Sequence, residues 1–199
     1  MSNIEIKKEK KSILNKIGGD KLILIAAIII VFALFTCLNK NFMTWANMVN
    51  LMVAASLVGL VAVGHTYLII AGQNDLSPGS LAAFCGTLAA LLLSKNVPFI
   101  LTIAVVLLAG VATGFFNAWM VNKIKLEAFI ATLVTQNIMR GFAYIICDGK
   151  PVSISNKAYL TIGKARFLTI PVSVWLMILA FVVFGFILAK TKFGRSVYA

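Results

Sequence analysis

Polar side chains recur at a fixed spacing inside the otherwise apolar segment 126–147. Every fourth position there is polar: Thr132, Gln136, Arg140 and Tyr144. Residues four apart lie on one slowly drifting face of a helix, and Asn137 borders that face. A charged side chain in an apolar helix is costly, and normally faces a bundle interior or a wet cavity. These five residues, the polar stripe, are therefore interpreted in one of two ways. They either line a pathway for a polar solute or form a structural feature in which Arg140 caps carbonyls or pairs with a carboxylate, for which the charge of Asp75 makes it a candidate.

A second polar stretch, AGQNDLSPGS at residues 71–80, follows a long apolar run and carries Asp75. Its glycines and its proline interrupt a helix, and its side chains can accept hydrogen bonds from backbone N–H groups. Ser77 before Pro78 is typical of a helix N-cap followed by proline in the first turn. The stretch predicts a helix break in which Asp75 either caps a helix or contacts a substrate. Five of its residues form a candidate site: Gly72, Asn74, Asp75, Ser77 and Gly79.

The residue types that most enzymes need are scarce. The chain has one histidine and six acidic residues. It contains no phosphate-binding G-x-x-x-x-G-K-[ST] loop, no HExxH and no serine nucleophile elbow. We therefore predict no catalytic residues, no metal site and no cofactor of its own. The single histidine, His65, lies in an apolar run with no carboxylate on its face, and a structural hydrogen bond is expected for it.

The elements that must position these residues are transmembrane helices. The chain is 61% hydrophobic and only 12% charged, whereas globular domains have roughly a quarter charged residues. A spanning helix needs about 20 mostly apolar residues. The sequence predicts an all-α, polytopic transmembrane bundle, with residues 1–20 as a basic N-terminal arm and residues 21–199 as the transmembrane domain. Six spans are predicted, the third of them short: 21–38, 48–71, 80–94, 98–121, 126–147 and 168–189.

The distribution of basic residues predicts the orientation. Lysine and arginine favour the cytoplasmic side of a membrane, and the lysine-rich arm, Lys123 and Lys125 share one side if the N-terminus is cytoplasmic. The net charge of +12 therefore indicates contact with membrane lipid rather than with nucleic acid. The loop 148–167 is basic although this orientation places it outside. It is interpreted either as a surface for an acidic partner or as a solvated loop.

Small residues at a spacing of four predict close helix packing, because they let backbones approach in lipid. Two such runs are present: Gly110, Gly114 and Ala118, and Ala82, Gly86 and Ala90.

Three stretches together resemble one family, the membrane-spanning permease subunit of bacterial ABC importers for ribose, xylose, galactose and autoinducer-2. AGQNDLSPGS resembles the family's GGIDLSVGS, although Gln73 and Pro78 depart from it. FIATLVTQNIMRGFAYIICDGKPV resembles FIVTLGTMTILRGLALLLTGGQPI, and FGRSVYA resembles the start of a GRYVYAIGGN run. Glu127 and Ala128 stand where the family often has two prolines. The resemblance covers the chain from about residue 45 to its end.

The resemblance implies a transport subunit in the bacterial cytoplasmic membrane. Such permeases pair as two copies or homologues with two ATP-hydrolysing ABC subunits, so ATP is bound by a separate partner. An extracytoplasmic sugar-binding protein delivers the substrate. The family's coupling loop follows the GRxVYA run, so the chain is expected to be the N-terminal part of a permease.

Alternative functions differ in the features they require. A permease for nucleosides or another small solute would share this architecture. An ion-coupled secondary transporter would need intramembrane carboxylates, for which Asp75 is the one candidate. A membrane scaffold would have no need of the costly polar stripe.

Overall fold

The computed structural model describes residues 19–154 and 156–198, which are almost entirely helical. Residues 1–18 of the predicted basic arm lie outside the described residues. The predicted all-α class is confirmed. The elements are α1 (Gly19–Leu38), α2 (Trp45–Ile70), α3 (Pro78–Ser94), α4 (Phe99–Trp119) continued by a π-helical turn (Met120–Ile124), α5 (Ala128–Ile146), α6 (Lys157–Lys164), β1 (Arg166–Phe167), β2 (Ile170–Pro171), α7 (Val172–Lys190) and α8 (Lys192–Tyr198).

Five helices within the described ranges are long and apolar enough to cross a membrane: α1, α2, α4 with its π turn, α5 and α7. The helix α3 is apolar but has only 17 residues. At 1.5 Å per residue it is about 25 Å long, whereas the hydrocarbon core is about 30 Å thick. Each of the six predicted spans therefore contains a helix, and the third is about 5 Å shorter than the hydrocarbon core is thick.

The predicted loop 148–167 contains secondary structure that periodicity did not indicate. It holds the helix α6, and it leads into a small antiparallel hairpin in which Arg166 faces Pro171 and Phe167 faces Ile170. Two left-handed residues join the strands, Leu168 with φ 51° and Thr169 with φ 68°. Two-residue turns of this kind match the twist of paired strands. The hairpin delays the start of α7 to Val172, four residues later than predicted.

The chain divides into two compact units, Met1–Leu51 and Met52–Ala199. In the first unit, the residues after α1 fold back onto it. The Phe42 ring stacks on Phe35 at 5.6 Å between ring centroids and meets Phe32 edge-on at 5.4 Å. Asn47 Nδ2 donates to the Phe42 carbonyl at 2.7 Å, which ties the start of α2 to this turn.

In the second unit, α3 packs mainly against α5 and secondly against α4. The buried side chains in the described part of the chain are mostly small or hydroxyl-bearing, whereas large apolar side chains cover the surface. This arrangement is expected in lipid, where packing and hydrogen bonds hold helices together and the hydrophobic effect does not. The buried polar residues are Ser56, Ser77, Ser80, Thr102, Thr113, Asn117, Thr132 and Thr135.

The prediction of close packing at the small-residue runs is wrong for their glycines. A Cβ atom built at Gly86, Gly110 or Gly114 would meet nothing within 4 Å. The tight approaches occur at two other glycines. A Cβ at Gly59 would overlap the Met177 side chain, and a Cβ at Gly194 would overlap the Leu188 carbonyl group. Spacing alone could not reveal this, because it does not specify which helix lies opposite.

Candidate functional site

The AGQNDLSPGS stretch is a break between two helices, as predicted. Helix α2 ends at Ile70, and Gly72 follows with φ +69°. That left-handed backbone is accessible to glycine at little cost, whereas a side chain strains it. The chain then runs without regular structure to Ser77, and α3 begins at Pro78. Proline is well tolerated there because the first helical N–H has no partner within the helix.

Three side chains satisfy consecutive backbone groups of this break. His65 Nε2 from α2 donates to the Asp75 carbonyl at 2.8 Å, which confirms the structural hydrogen bond predicted for His65. Thr132 Oγ1 from α5 accepts from the Leu76 N–H at 3.2 Å. Asp75 Oδ1 accepts from the Ser77 N–H at 2.8 Å. Irregular backbone inside a bundle needs such partners, because it has no ladder of its own.

A chain of side-chain hydrogen bonds that starts at Thr135 on α5 fixes the carboxylate of Asp75. Thr135 Oγ1 donates to Asn117 Oδ1 at 2.5 Å, and Asn117 Nδ2 donates to Ser77 Oγ at 3.3 Å. Ser77 Oγ in turn donates to Asp75 Oδ1 at 2.7 Å. Thr135 and Ser77 are almost completely buried. Ser77 occupies the predicted N-cap position, but its hydroxyl makes no capping bond because it is engaged by Asp75.

A cleft of about 480 Å³ opens beside the break. We call it the break cleft. Its walls are the end of α2, the break itself, the end of α4 with its π turn, and the first turns of α5. Half of its lining residues are polar: Gln73, Asn74, Asp75, Asn117, Asn122 and Thr132.

The polar stripe of α5 winds out of the helix interface. Four residues turn a helix by about 400°, so a stripe at this spacing drifts by roughly 40° per step. Thr132 is buried, Gln136 is half-buried, and Arg140 is exposed. Tyr144 is 60% exposed, and Asn137 is exposed with its Nδ2 donating to the Leu133 carbonyl at 2.9 Å. The stripe therefore starts inside the bundle and ends on its surface.

The far end of the stripe reaches a second cleft of about 600 Å³. We call it the tyrosine cleft, because Tyr144 and Tyr159 both line it. Small residues of α3 form one wall, and the segment after α5, including Lys150, forms the other. Thr132 lines the break cleft and Tyr144 lines the tyrosine cleft, so the two ends of the stripe lie in different clefts.

The predicted candidate residues fall into two groups. Asn74, Asp75 and Thr132 share the break cleft, and Ser77 holds Asp75 in place. The exposed residues of the polar stripe, Asn137, Arg140 and Tyr144, do not line the break cleft. Within the described residues, Arg140 makes no hydrogen bond and no ion pair, so the pairing with Asp75 that its charge suggested is absent. Gly72 supplies the turn, and a Cβ at Gly79 would meet nothing within 4 Å.

Two members of the hydrogen-bonded chain, Asn117 and Thr135, were not predicted as site residues. An asparagine within the apolar run of α4 was a usable signal, because a polar side chain at that depth needs a partner. Thr135 carried no such signal, since threonine commonly bonds its own helix backbone.

This geometry describes a helical membrane protein with a broken span and polar clefts, and comparison with known proteins assigns its class. Residues 47–199 match the family model described as branched-chain amino acid transport system / permease component. The chain belongs to this permease family. No solved structure matches the chain at a significant level.

Several curated relatives of this chain are permeases named for sugars. The ribose import permease protein RbsC of Haemophilus influenzae is 38% identical over 87% of this chain and 55% of its own length. The L-arabinose ABC transporter permease protein AraH of Azospirillum brasilense is 34% identical over 88% of this chain and 52% of its own length. RbsC of Bacillus subtilis is 34% identical over 85% of this chain and 53% of its own length.

The chain therefore spans about half the length of the curated relatives it matches. The resemblance to permease subunits of bacterial sugar ABC importers is confirmed, as is the prediction of a multi-pass protein of the bacterial cytoplasmic membrane.

Proposed function

We propose that this chain forms part of the membrane pathway of an ABC importer for a monosaccharide. A separate ATP-hydrolysing subunit would drive the transport, and an extracytoplasmic binding protein would deliver the sugar. The chain's membership of the permease family supports the transport role. The names of its relatives support the substrate class, since they are permeases for ribose and arabinose.

One observation carries the proposal: the two ends of the polar stripe of α5 line two different clefts. Thr132 lines the break cleft, and Tyr144, twelve residues later, lines the tyrosine cleft. Twelve residues of α-helix span about 18 Å, more than half of a hydrocarbon core of about 30 Å. Gln136 and Arg140 lie between these ends and supply hydrogen-bonding groups along the way.

The absence of a hydrogen-bond or ion-pair partner for Arg140 among the described residues favours a pathway role over a structural role. A structural arginine would have a carbonyl or carboxylate partner in the bundle, and none is present among the described residues. An exposed guanidinium at membrane depth requires water or protein around it. A pathway supplies both, whereas a scaffold has no reason to bear this cost.

The lining of the break cleft favours a sugar over an apolar solute. The family description names branched-chain amino acids, whose aliphatic side chains would require an apolar pocket. Half of the residues that line the break cleft instead carry amide, carboxylate or hydroxyl groups. Each sugar hydroxyl is both a donor and an acceptor, and such groups satisfy both roles.

The partners follow from the same class of transporter. A second permease copy or homologue, an ATP-hydrolysing ABC subunit and a sugar-binding protein would complete the importer. Purification of the complete gene product from its own membrane in mild detergent, followed by mass spectrometry, tests this composition. Retention of an ATP-hydrolysing subunit supports the proposal, and its absence from every preparation contradicts it.

The transport role is tested with the complete importer in proteoliposomes. The assay measures ATP-driven uptake of D-ribose, L-arabinose, a nucleoside and a branched-chain amino acid. Arg140→Leu is expected to lower sugar uptake by at least tenfold. Arg166→Leu is the matched control, because Arg166 is also exposed but lies on the β1 strand outside the stripe. Full uptake and normal assembly with Arg140→Leu would contradict both a pathway role and a structural role for Arg140.

A further inference from the structure

The break cleft has the properties of a substrate site, and nothing in the family match or in the names of the relatives assigns one there. We propose that it binds one monosaccharide in transit, with Asp75 accepting hydrogen bonds from the sugar hydroxyls and the amides of Gln73 and Asn122 both accepting and donating. This inference rests on the proposed function. The cavity of about 480 Å³ lies within the range of small-molecule sites, roughly 300–1,000 Å³.

Several polar side-chain atoms around the break cleft have no hydrogen-bond partner among the described residues. Among the described residues, the side-chain amides of Gln73, Asn74 and Asn122 make no hydrogen bond. Asp75 uses Oδ1 for both of its bonds to Ser77, which leaves Oδ2 without a partner. Each of these four residues lines the cavity. A ligand with several neighbouring hydroxyls would satisfy them together.

The buried hydrogen bonds around the cleft hold its central carboxylate in position. Ser77, itself held by Asn117, fixes the Asp75 side chain. His65 binds the Asp75 carbonyl oxygen and Thr132 binds the next backbone N–H, so both groups of that peptide bond are also held. A binding group that is already ordered loses less conformational entropy when the ligand arrives. Asn117 and His65 are therefore positioning residues, and the free atom of Asp75 is the contact.

The tyrosine cleft is a weaker candidate for this site. Its α3 wall consists of small side chains such as Ala82 and Gly86, and its charged group is a lysine rather than a carboxylate. It offers fewer groups that can both accept and donate. Its position at the other end of the stripe suits passage rather than binding.

The test is direct binding of radiolabelled D-ribose and L-arabinose to the purified complete permease complex, by equilibrium dialysis without the binding protein. Asp75→Asn is the first variant. The amide oxygen can still accept from Ser77, while the amide nitrogen replaces the free carboxylate oxygen and can only donate. Asn122→Ala is the second, since Asn122 is exposed and its truncation breaks no internal bond. Asn50→Ala is the control, as Asn50 is exposed and lines neither cleft.

Asp75→Asn replaces a charge-assisted hydrogen bond by a neutral one, which is expected to weaken sugar binding about tenfold. A smaller loss, about threefold to tenfold, is expected with Asn122→Ala. Unchanged binding in both variants, with sugar uptake by the unmodified importer intact, would overturn this inference and leave the proposed function standing. No uptake of either sugar by the unmodified importer would refute the proposed function, and this inference with it.

Discussion

Replacement of Asn117 by leucine is expected to destabilise the packing of α3, α4 and α5. Asparagine and leucine branch at the same carbon, so the substitution changes polarity more than shape. It removes both hydrogen bonds of the Asn117 side chain, one from Thr135 and one to Ser77. Thr135 is completely buried, and its hydroxyl would lose the acceptor that lies 2.5 Å away.

The magnitude follows from these two losses. A buried polar group left without a partner costs about 1–3 kcal/mol. The bond to Ser77 is long at 3.3 Å and contributes less. Interhelical hydrogen bonds in membrane proteins average only about 0.6 kcal/mol, and Thr135 can turn to the carbonyl four residues before it. We therefore expect Asn117→Leu to lower the free energy of unfolding by about 1–2 kcal/mol.

The assay is equilibrium unfolding of the purified complete permease in mixed micelles, as a double-mutant cycle. Thr135→Val removes the hydroxyl without changing the shape, so no orphaned donor remains in the double variant. The double variant is expected to be more stable than the sum of the two single losses predicts, by about 1 kcal/mol. Strict additivity of the two losses would refute the argument that the Asn117–Thr135 bond couples α4 to α5.

Two further predictions concern glycines, and each has a matched control. Gly194→Ala is expected to cost about 1–3 kcal/mol, because its Cβ would overlap the Leu188 carbonyl at the α7–α8 corner. Gly185→Ala in α7 should be neutral or slightly stabilising, since its Cβ would meet nothing within 4 Å. Thermal unfolding of the two variants compares them, and equal midpoints would contradict the steric account. Gly72→Ala is expected to lower the free energy of unfolding by about 1–2 kcal/mol, because a side chain strains a backbone with φ +69°. Its control, Gly79→Ala, should lower that free energy by less than about 0.5 kcal/mol. A larger loss with Gly79→Ala than with Gly72→Ala would contradict the turn geometry.

The sequence predicted the parts of the fold that depend on local composition. Apolar runs long enough to span a membrane gave the helices, and the glycines and proline of residues 71–80 gave the break. The hairpin around Leu168 was missed because its left-handed turn uses leucine and threonine rather than asparagine and glycine. The contacts at Gly59 and Gly194 were missed because they depend on which helices meet.

The candidate site was predictable residue by residue but not as an assembly. The spacing of Thr132, Gln136 and Arg140 indicated one helix face, and the structure adds that this face turns from the bundle interior to its surface. The opposite charges of Asp75 and Arg140 suggested a pair. Asp75 instead bonds to Ser77, two residues away, because a local bond needs no second helix in register.

Whether the polar stripe lines a water-filled pathway is tested most directly by cysteine accessibility in the complete importer. Single cysteines replace Gln136 and Ile138 after the native Cys37, Cys85 and Cys147 are removed. The two positions lie at nearly the same depth and about 200° apart around α5. Gln136 is half-buried here and Ile138 is 39% exposed, so bare exposure would favour reaction at Ile138. We predict that a membrane-impermeant thiol reagent labels the cysteine at position 136 and that sugar protects this cysteine from the reagent. The cysteine at position 138 is expected to stay unlabelled in lipid. Faster labelling at position 138, or none at position 136, would contradict this prediction.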